Sequence, residues 1–450
     1  MRRKPLCFRY GVSLTPYISK LSNADPCQKT ANAAIIDLRQ HSQRQMIVLE
    51  FKLKGKLNQY QAIDAAIQTA QFVRNKCLRY WMDNQNVSRA ELYRYNTQLR
   101  AEFPFVEALN SHACQASVER CWSAIARFYD KCKKQIPGKK GYPKFKKHSR
   151  SLEYKTSGWK LSEARKQVTF TDGKQIGRLK LIGSRDLNFY QPDQIKRVRL
   201  VRRADGYYCQ FCIQVDVSVE SIPTQKAIGI DLGLNYFIAD SQGKTEPAPQ
   251  FYRKAEKQLN RANRKQSKKY RKGARPQSRN SHKARVRYAR KHLRVSRQRE
   301  EYCKRLAYSA IQSNDLVAYE DLNVKGLVRN RHLAKSISDA GWSTFRKWLE
   351  YFGRKYGKAT VAVPPYYTSQ NCSNCGKVVK KSLSVRTHVC PHCGYMAGRD
   401  VNAALNILQR GLTTVGHTGS LYAWGDLPSS SVGENLLSYG ESLNQESTGF

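Results

Sequence analysis

Asp231, Glu320 and Asp400 are the side chains best suited, by type and context, to do chemistry together. Asp231 ends the apolar run Ala227-Ile228-Gly229-Ile230, Glu320 ends Val317-Ala318-Tyr319, and Asp400 opens Val401-Asn402-Ala403-Ala404-Leu405. Singly, each has an ordinary explanation: a turn, an ion pair with one of many arginines, a helix N-cap. Jointly they are anomalous, because the chain carries 80 Lys and Arg against 34 Asp and Glu. Carboxylates gathered in so basic a protein are expected to hold a hard cation such as Mg²⁺, which takes one or two of them together with substrate phosphate oxygens. Two such ions clamp the attacking and leaving oxygens when a phosphodiester is cut. The implied chemistry is metal-dependent hydrolysis of nucleic acid, with Mg²⁺ as the cation and Mn²⁺ as its substitute.

A sheet must bring these acids together. Two of them follow strand-like runs, and the third opens the helix-like stretch Val401–Leu408. An α/β sheet presents the ends of neighbouring strands at one edge, so acids 89 and 80 residues apart can converge there. Asp321 follows Glu320 directly and would point away from it on a strand.

Further upstream, residues 1–45 carry no sustained period, and Met46 opens the folded body with the strand-like Ile47-Val48-Leu49-Glu50-Phe51-Lys52-Leu53. Residues 1–45 read as an N-terminal extension that is disordered or not native, against the alternative of an ordered arm. Ile63, Ile67, Ala70, Val73, Cys77 and Trp81 then recur at helical spacing. A second helix, at roughly 110–134, repeats the pattern through Ala113, Val118, Cys121, Ile125 and Phe128, and stops before Pro137-Gly138. From about 142 to 220 the period is two, with hairpin signals at Asp172-Gly173 and Asp205-Gly206. The Met46 strand and these hairpins are expected to close one small barrel, with the helices inserted. Between 253 and 305, 22 Lys and Arg stand against three Glu, which reads as a basic helical pair lying along a duplex. Residues 411–450 have no Lys or Arg and read as a disordered tail.

Four of the 13 cysteines form two knuckles, Cys372-Ser373-Asn374-Cys375-Gly376 and Cys390-Pro391-His392-Cys393-Gly394. Four thiolates at this spacing match a closed tetrahedral Zn²⁺ site, which stabilises a small ribbon and does no chemistry. Leu383, Val385 and Val389 would line the strand between the knuckles, with His388 and His392 as bystanders or nucleic-acid contacts. Cys209 and Cys212 are also C-x₂-C, but they sit in an alternating strand and read as core or surface thiols.

The formal charge of +46 calls for a polyanionic partner, and nucleic acid is the fitting one. With 40% hydrophobic residues and six tryptophans, the chain is expected to be an enzyme-sized folded body rather than a basic tail. It lacks an apolar run of membrane-spanning length and the apolar core of a signal peptide. The odd cysteine count fits a reducing cytosol.

These residues resemble the TnpB/OrfB family of bacterial insertion sequences, relatives of type V CRISPR effectors. The likeness covers about 46–410. Its motifs are Phe72-Val73-Arg74-Asn75-Lys76, Gly141-Tyr142-Pro143-Lys144-Phe145-Lys146, Gly229-Ile230-Asp231-Leu232-Gly233, Glu320-Asp321-Leu322, Ser336-Ile337-Ser338-Asp339-Ala340-Gly341-Trp342, both knuckles, and Arg399-Asp400-Val401-Asn402-Ala403-Ala404-Leu405-Asn406-Ile407. Gly398 departs from the acid that many relatives carry there.

The resemblance implies a multidomain α/β protein. Residues 46–56 and 136–222 would form a wedge-like β-barrel and 57–135 a helical recognition lobe. Residues 223–369 and 398–410 would form an RNase H-like (RuvC) nuclease domain, with a zinc ribbon at 370–397 and a tail at 411–450. It implies Asp231, Glu320 and Asp400 as the catalytic trio, holding Mg²⁺, and Cys372, Cys375, Cys390 and Cys393 as zinc ligands. It also implies a guide RNA, a double-stranded DNA target with a short flanking motif, and a bacterial cytoplasmic, nucleoid-associated location. Basic residues at 253–305 and Lys139–Lys147 become candidate backbone contacts, with Tyr142 and Phe145 either stacking on bases or buried as core. Two alternatives stay open: a non-catalytic regulator of transposition, and a transposase that joins element ends.

Overall fold

The computed structural model describes residues 45–215, 222–274, 276–382 and 384–417. The extension at 1–45, its last residue apart, and the tail beyond 417 lie outside the described residues. Two compact units are present, one spanning Gln43–Val217 and Leu259–Leu293, the other Ser218–Gln258 and the chain from Arg294 onward. No helix among the described residues is long and apolar enough to cross a membrane.

The first unit contains β1 (Gln45–Lys54), α1 (Leu57–Asp83), α2 (Arg89–Glu102), α3 (Ser111–Lys133), β2 (Ser151–Tyr154), β3 (Trp159–Leu161), β4 (Gln167–Phe170), β5 (Gly177–Ile182), β6 (Ile195–Arg203) and β7 (Gly206–Val215). The strands make one antiparallel sheet in the order β2-β6-β7-β1-β5-β4-β3. Alternation in β1 buries Ile47, Leu49, Phe51 and Leu53. In α1 the expected stripe from Ile63 to Trp81 is the buried face.

Arg203 pairs with Gly206 across the two-residue loop Ala204-Asp205, so the turn lies one residue before the Asp-Gly pair, and Gly206, the first residue after it, has a positive φ (+138°) that favours glycine. Asp172-Gly173 behaves differently, lying in a longer loop between the paired Phe170 and Gly177. Its Asp172 carboxylate accepts from the Tyr154 hydroxyl at 2.8 Å and from the Asn110 backbone N–H at 3.4 Å, so a tertiary contact sets the loop. The sequence pattern missed α2, because it buries only Leu92, Asn96 and Leu99; its one signal is the Ser88–Glu91 capping box. Cys209 and Cys212 are both buried, since central β7 is covered on both faces. Phe145 is exposed, and Tyr142, half exposed, packs its ring at the edge of the helical core against Trp81 at 5.6 Å and Phe128 at 5.3 Å between ring centroids.

Glu153 on β2 faces Arg199 on β6 and lies among three guanidiniums. Arg197 approaches at 2.6 Å, Arg199 at 2.9 Å and Arg120 of α3 at 3.4 Å. Burial pushes the carboxyl pKa up, but Arg120, Arg199 and Arg197 outweigh it and hold the value at about 2, below the ordinary 4.5. The depressed value makes Glu153 stabilising above the ordinary pKa, and the contribution is lost as pH falls through about 2. Glu153→Gln is expected to lower the stability of this unit at neutral pH by ~2–3 kcal/mol, because buried Arg199 loses its anion while the half-buried Arg120 and Arg197 keep access to water and Arg197 keeps Glu119. It should also flatten the acid limb of a denaturant-melt series.

The second unit contains β8 (Ala227–Asp231), β9 (Tyr236–Asp240), β10 (Thr245–Pro247), α4 (Phe251–Lys269), α5 (Arg279–Ser313), β11 (Leu316–Glu320), α6 (Ala334–Ala340), α7 (Trp342–Tyr356), β12 (Ala359–Val363), β13 (Thr387–Val389), β14 (Met396–Gly398) and α8 (Arg399–His417). The middle of the basic pair α4–α5, Leu259–Leu293, groups with the first unit rather than with this one. The main sheet has the order β10-β9-β8-β11-β12. The first three strands form an antiparallel meander, and β11 runs parallel to both β8 and β12.

Period two divides the sheet residues between its faces. Ile228, Ile230, Val317 and Tyr319 enter a core with Cys303, Ala307 and Ile311 of α5, Ile337 of α6, and Phe345 and Leu349 of α7. Leu316, Ala318 and Val363 face the other way, onto Ile407 and Val415 of α8. Asp339 accepts from the backbone N–H of Tyr252 at 2.8 Å and of Arg253 at 3.2 Å, and so anchors the first turn of α4. The expected tail boundary at 411 is wrong by at least seven residues: α8 runs on to His417 and buries Val415 against the sheet.

Candidate functional site

Asp231 and Glu320 end adjacent parallel strands in matched register, since Tyr319 pairs with Ile230. Their α-carbons are therefore about 4.8 Å apart, with both side chains on the same face of the sheet. That face is the α8 side. Gly229, two residues before Asp231, lies so close to α8 that a Cβ there would meet the Ala404 carbonyl oxygen at 2.1 Å. Ala318, two residues before Glu320, faces Gly411, where an added Cβ would come within 2.5 Å of the Ala318 Cβ. Small residues at these points let α8 lie directly on the two strands. Asp400, one turn before Ala404, is thereby carried to the acid-bearing strand ends.

The electrostatics follow from this packing. Burial pushes the Asp231 carboxyl up, the charges of Glu320 and then Asp400 push it further, and it reaches about 8 despite the Leu232 N–H and Arg399. Burial also raises Glu320, partly offset by the Thr368 hydroxyl and Arg410. Glu320 and Asp400 thus act on Asp231 through one shared negative field. A divalent cation is the species that relieves such a field, and all-oxygen donors of this kind suit Mg²⁺ or Mn²⁺. The acids are spread more widely than the cysteines, the one group of three or more His, Cys, Asp or Glu among the described residues whose donor atoms all lie within 4.8 Å.

Beside Asp400 opens a cleft of about 540 Å³, lined by Asn235, Tyr236, Thr245, Arg386, Gly398, Arg399 and Val401. Asp321 takes no part. It pairs with Arg346 of α7, which also holds Glu350 at 2.8 Å.

The cysteines make the compact cluster that their spacing predicts. Cys372 and Cys393 sulfurs lie 3.7 Å apart, and Cys375 and Cys390 sulfurs 3.6 Å. A tetrahedron with Zn–S bonds of about 2.3 Å has edges of about 3.8 Å, so the donor set fits Zn²⁺. Each knuckle closes in the same way: Gly376 N–H donates to Cys372 O and Gly394 N–H to Cys390 O, with φ of +74° and +72°. Within the ribbon, Val385 and Val389 are exposed, so neither provides the expected apolar lining, and Leu383 lies outside the described residues. His388 is fully buried beside Lys381, so it is no surface contact, and the four-cysteine group does not include it; His392 is exposed.

Sequence reading missed Thr368, Asn402 and Asn406. The Thr368 hydroxyl donates to Glu320 Oε1 at 2.5 Å. Asn402 Nδ2 donates to Asn371 O, and Asn406 Nδ2 to both Thr368 O and Asn371 O, each at 2.8 Å. Two asparagines four apart on the helix that begins at Asp400 were the available signal.

Two family descriptions match this chain: "Probable transposase" (OrfB of IS605) over residues 210–331 and "Cas12f1-like, TNB domain" over 342–407. A protein of Streptomyces pristinaespiralis named "Putative RNA-guided DNA endonuclease" is 30% identical over 320 residues, covering 69% of this chain and 74% of its own length. This chain belongs to the TnpB/OrfB family. A second TnpB/OrfB relative, InsQ of Escherichia coli (strain K12), bears the same designation and is 26% identical over 287 residues, covering 60% of this chain and 68% of its own. "TnpB-like protein L79" of Acanthamoeba polyphaga mimivirus is 32% identical over 127 residues, 27% of this chain and 24% of its own. Among solved structures, the mini-RNA-guided endonuclease CRISPR-Cas_phi3 superposes with a TM-score of 0.49 at 10% identity, over 88% of this chain and 98% of that one.

Proposed function

We propose that this protein is a transposon-encoded, RNA-guided DNA endonuclease that hydrolyses phosphodiester bonds at Asp231, Glu320 and Asp400. The observation that carries the nuclease reading is the shared field at Asp231, where burial and two further carboxylates make a place for a divalent cation. RNA guidance rests on what the family's relatives are named for. The strand order β10-β9-β8-β11-β12, with β9 antiparallel to its neighbours, supports an RNase H-like (RuvC) domain at 223–258, 294–369 and 398–417. In the same reading 370–397 is its zinc ribbon, 46–56 with 136–222 the wedge-like barrel, and 57–135 the recognition lobe.

Asp231, Glu320 and Asp400 would together hold the Mg²⁺. When bound, Mg²⁺ supplies the Lewis acidity that stabilises charge on an attacking water and on the leaving 3′-oxygen. The chain's own residues do the positioning: β8 and β11 set two acids side by side, and α8 presses the third against them. Guide pairing reads the target, while the basic helices α4 and α5 and Lys139–Lys147 follow phosphates irrespective of sequence.

Sequencing RNA that copurifies with the full chain tests the guide. One discrete transcript from the end of the element is expected. A random pool of cellular RNA, or no RNA, contradicts guidance and favours a transposase acting on element ends.

A further inference from the structure

Glu320 is 8% exposed, and one hydroxyl reaches it, that of Thr368, itself 4% exposed. Thr368 lies in the turn between β12 and the first zinc knuckle, and three side chains of α8 hold that turn. Arg410 donates to Pro364 O at 3.1 Å and to Tyr366 O at 2.6 Å. Asn406 donates to Thr368 O, and Asn402 both donates to Asn371 O and accepts from Ser373 N–H at 3.0 Å. These three are four residues apart and so share one helix face. Tyr367, next to Thr368, has φ of +59°, a left-handed conformation that tyrosine rarely adopts. Backbone held against its own preference persists only where its surroundings over-determine it, and such strain clusters at functional sites.

The geometry points to Thr368 as a positioning residue for Glu320. Its hydroxyl occupies Oε1 and fixes the carboxylate rotamer, leaving Oε2 to face a cation. Because α8 carries both Asp400 and the clamp on Thr368, one helix sets the second and third acids together, and the zinc ribbon is fastened to the same clamp at Ser373. The inference rests on the nuclease reading above.

Metal-ligating carboxylates are commonly oriented by such partners, whose loss costs roughly 10–100-fold in metal affinity or activity. Thr368→Val keeps the side-chain shape and removes the hydroxyl; Thr368→Ser keeps the hydroxyl. In the zinc-loaded full chain, Mn²⁺ binding followed by electron paramagnetic resonance should weaken about tenfold in Thr368→Val and be restored in Thr368→Ser. The Mg²⁺ concentration for half-maximal cleavage should shift in parallel, with zinc content and target binding unchanged. Wild-type Mn²⁺ affinity in Thr368→Val, or equal losses in the Val and Ser variants, overturns the inference. Asp231→Ala separates the two layers: if it binds Mn²⁺ as wild type does, the carboxylate reading itself fails. If it loses Mn²⁺ while Thr368→Val keeps it, only the role of Thr368 fails.

Discussion

Asp231→Asn is expected to cut guide-matched DNA at least ~10³-fold more slowly than wild type while binding the target equally well. Metal-ion stabilisation of the transition state is worth several kcal/mol, and each ~1.4 kcal/mol is a factor of ten in rate. The amide matches the carboxylate in shape but cannot supply the charge that holds a hard cation between two strand ends. A counterintuitive gain should accompany the loss. The wild-type carboxyl titrates near 8 when folded, against an ordinary 3.8, so it is a raised acid. As pH climbs from the lower value to the higher, the unfolded chain releases this proton first and the folded state loses stability. Asparagine does not titrate. Without added Mg²⁺ at pH 7–8, the variant should therefore melt above wild type. Adding Mg²⁺ should raise the wild-type melting temperature and leave the variant's unchanged, since a ligand stabilises only the state that binds it.

Cys390→Ser is expected to abolish zinc retention and lower cleavage by about 100-fold, although no cysteine touches the reacting strand in this account. Structural Zn²⁺ contributes on the order of 10–16 kcal/mol of apparent binding energy to small zinc domains, and that energy is folding energy. The buried Cys390 sulfur makes one edge of the thiolate cluster with Cys375. Without the ion, the first knuckle keeps its hydrogen bonds to α8 through Ser373 and Asn371 but loses the link to the second knuckle. Loosening that knuckle frees the turn carrying Thr368, and with it the orientation of Glu320. Metal analysis and cleavage rate should fall together, while the seven-stranded unit, which has its own core, should melt as in wild type. Full cleavage by zinc-free protein would show that the ribbon does not support the acids.

The acids and the ribbon were readable in the chain for a physical reason. Strand period two, ending on an acid, specifies both the face and the end of a sheet. Gly229 and Ala318, the small residues two places before Asp231 and Glu320, let α8 lie close on the two strands. The knuckle glycines sit at positive φ, which few other residues accept. What could not be read depends on partners far along the chain. Thr368 meets Glu320 across 48 residues, and Asn406 meets Asn371 across 35. Asp172 carries a strong turn signal yet serves Tyr154 and Asn110, so its loop is wider than the dipeptide predicts. His388 fills the ribbon interior expected of valines, and composition misled at 411–417, where a few apolar residues suffice to extend α8 over the sheet.

End-labelled target DNA shows whether one carboxylate trio hydrolyses guide-matched DNA. Purified ribonucleoprotein, with its copurified RNA and Mg²⁺, should release fragments bearing 5′-phosphate and 3′-hydroxyl ends, and replacing Asp231, Glu320 or Asp400 singly with alanine should stop that release. Strand-transfer products in place of hydrolysed ends, or undiminished cutting by any of the three variants, would contradict it.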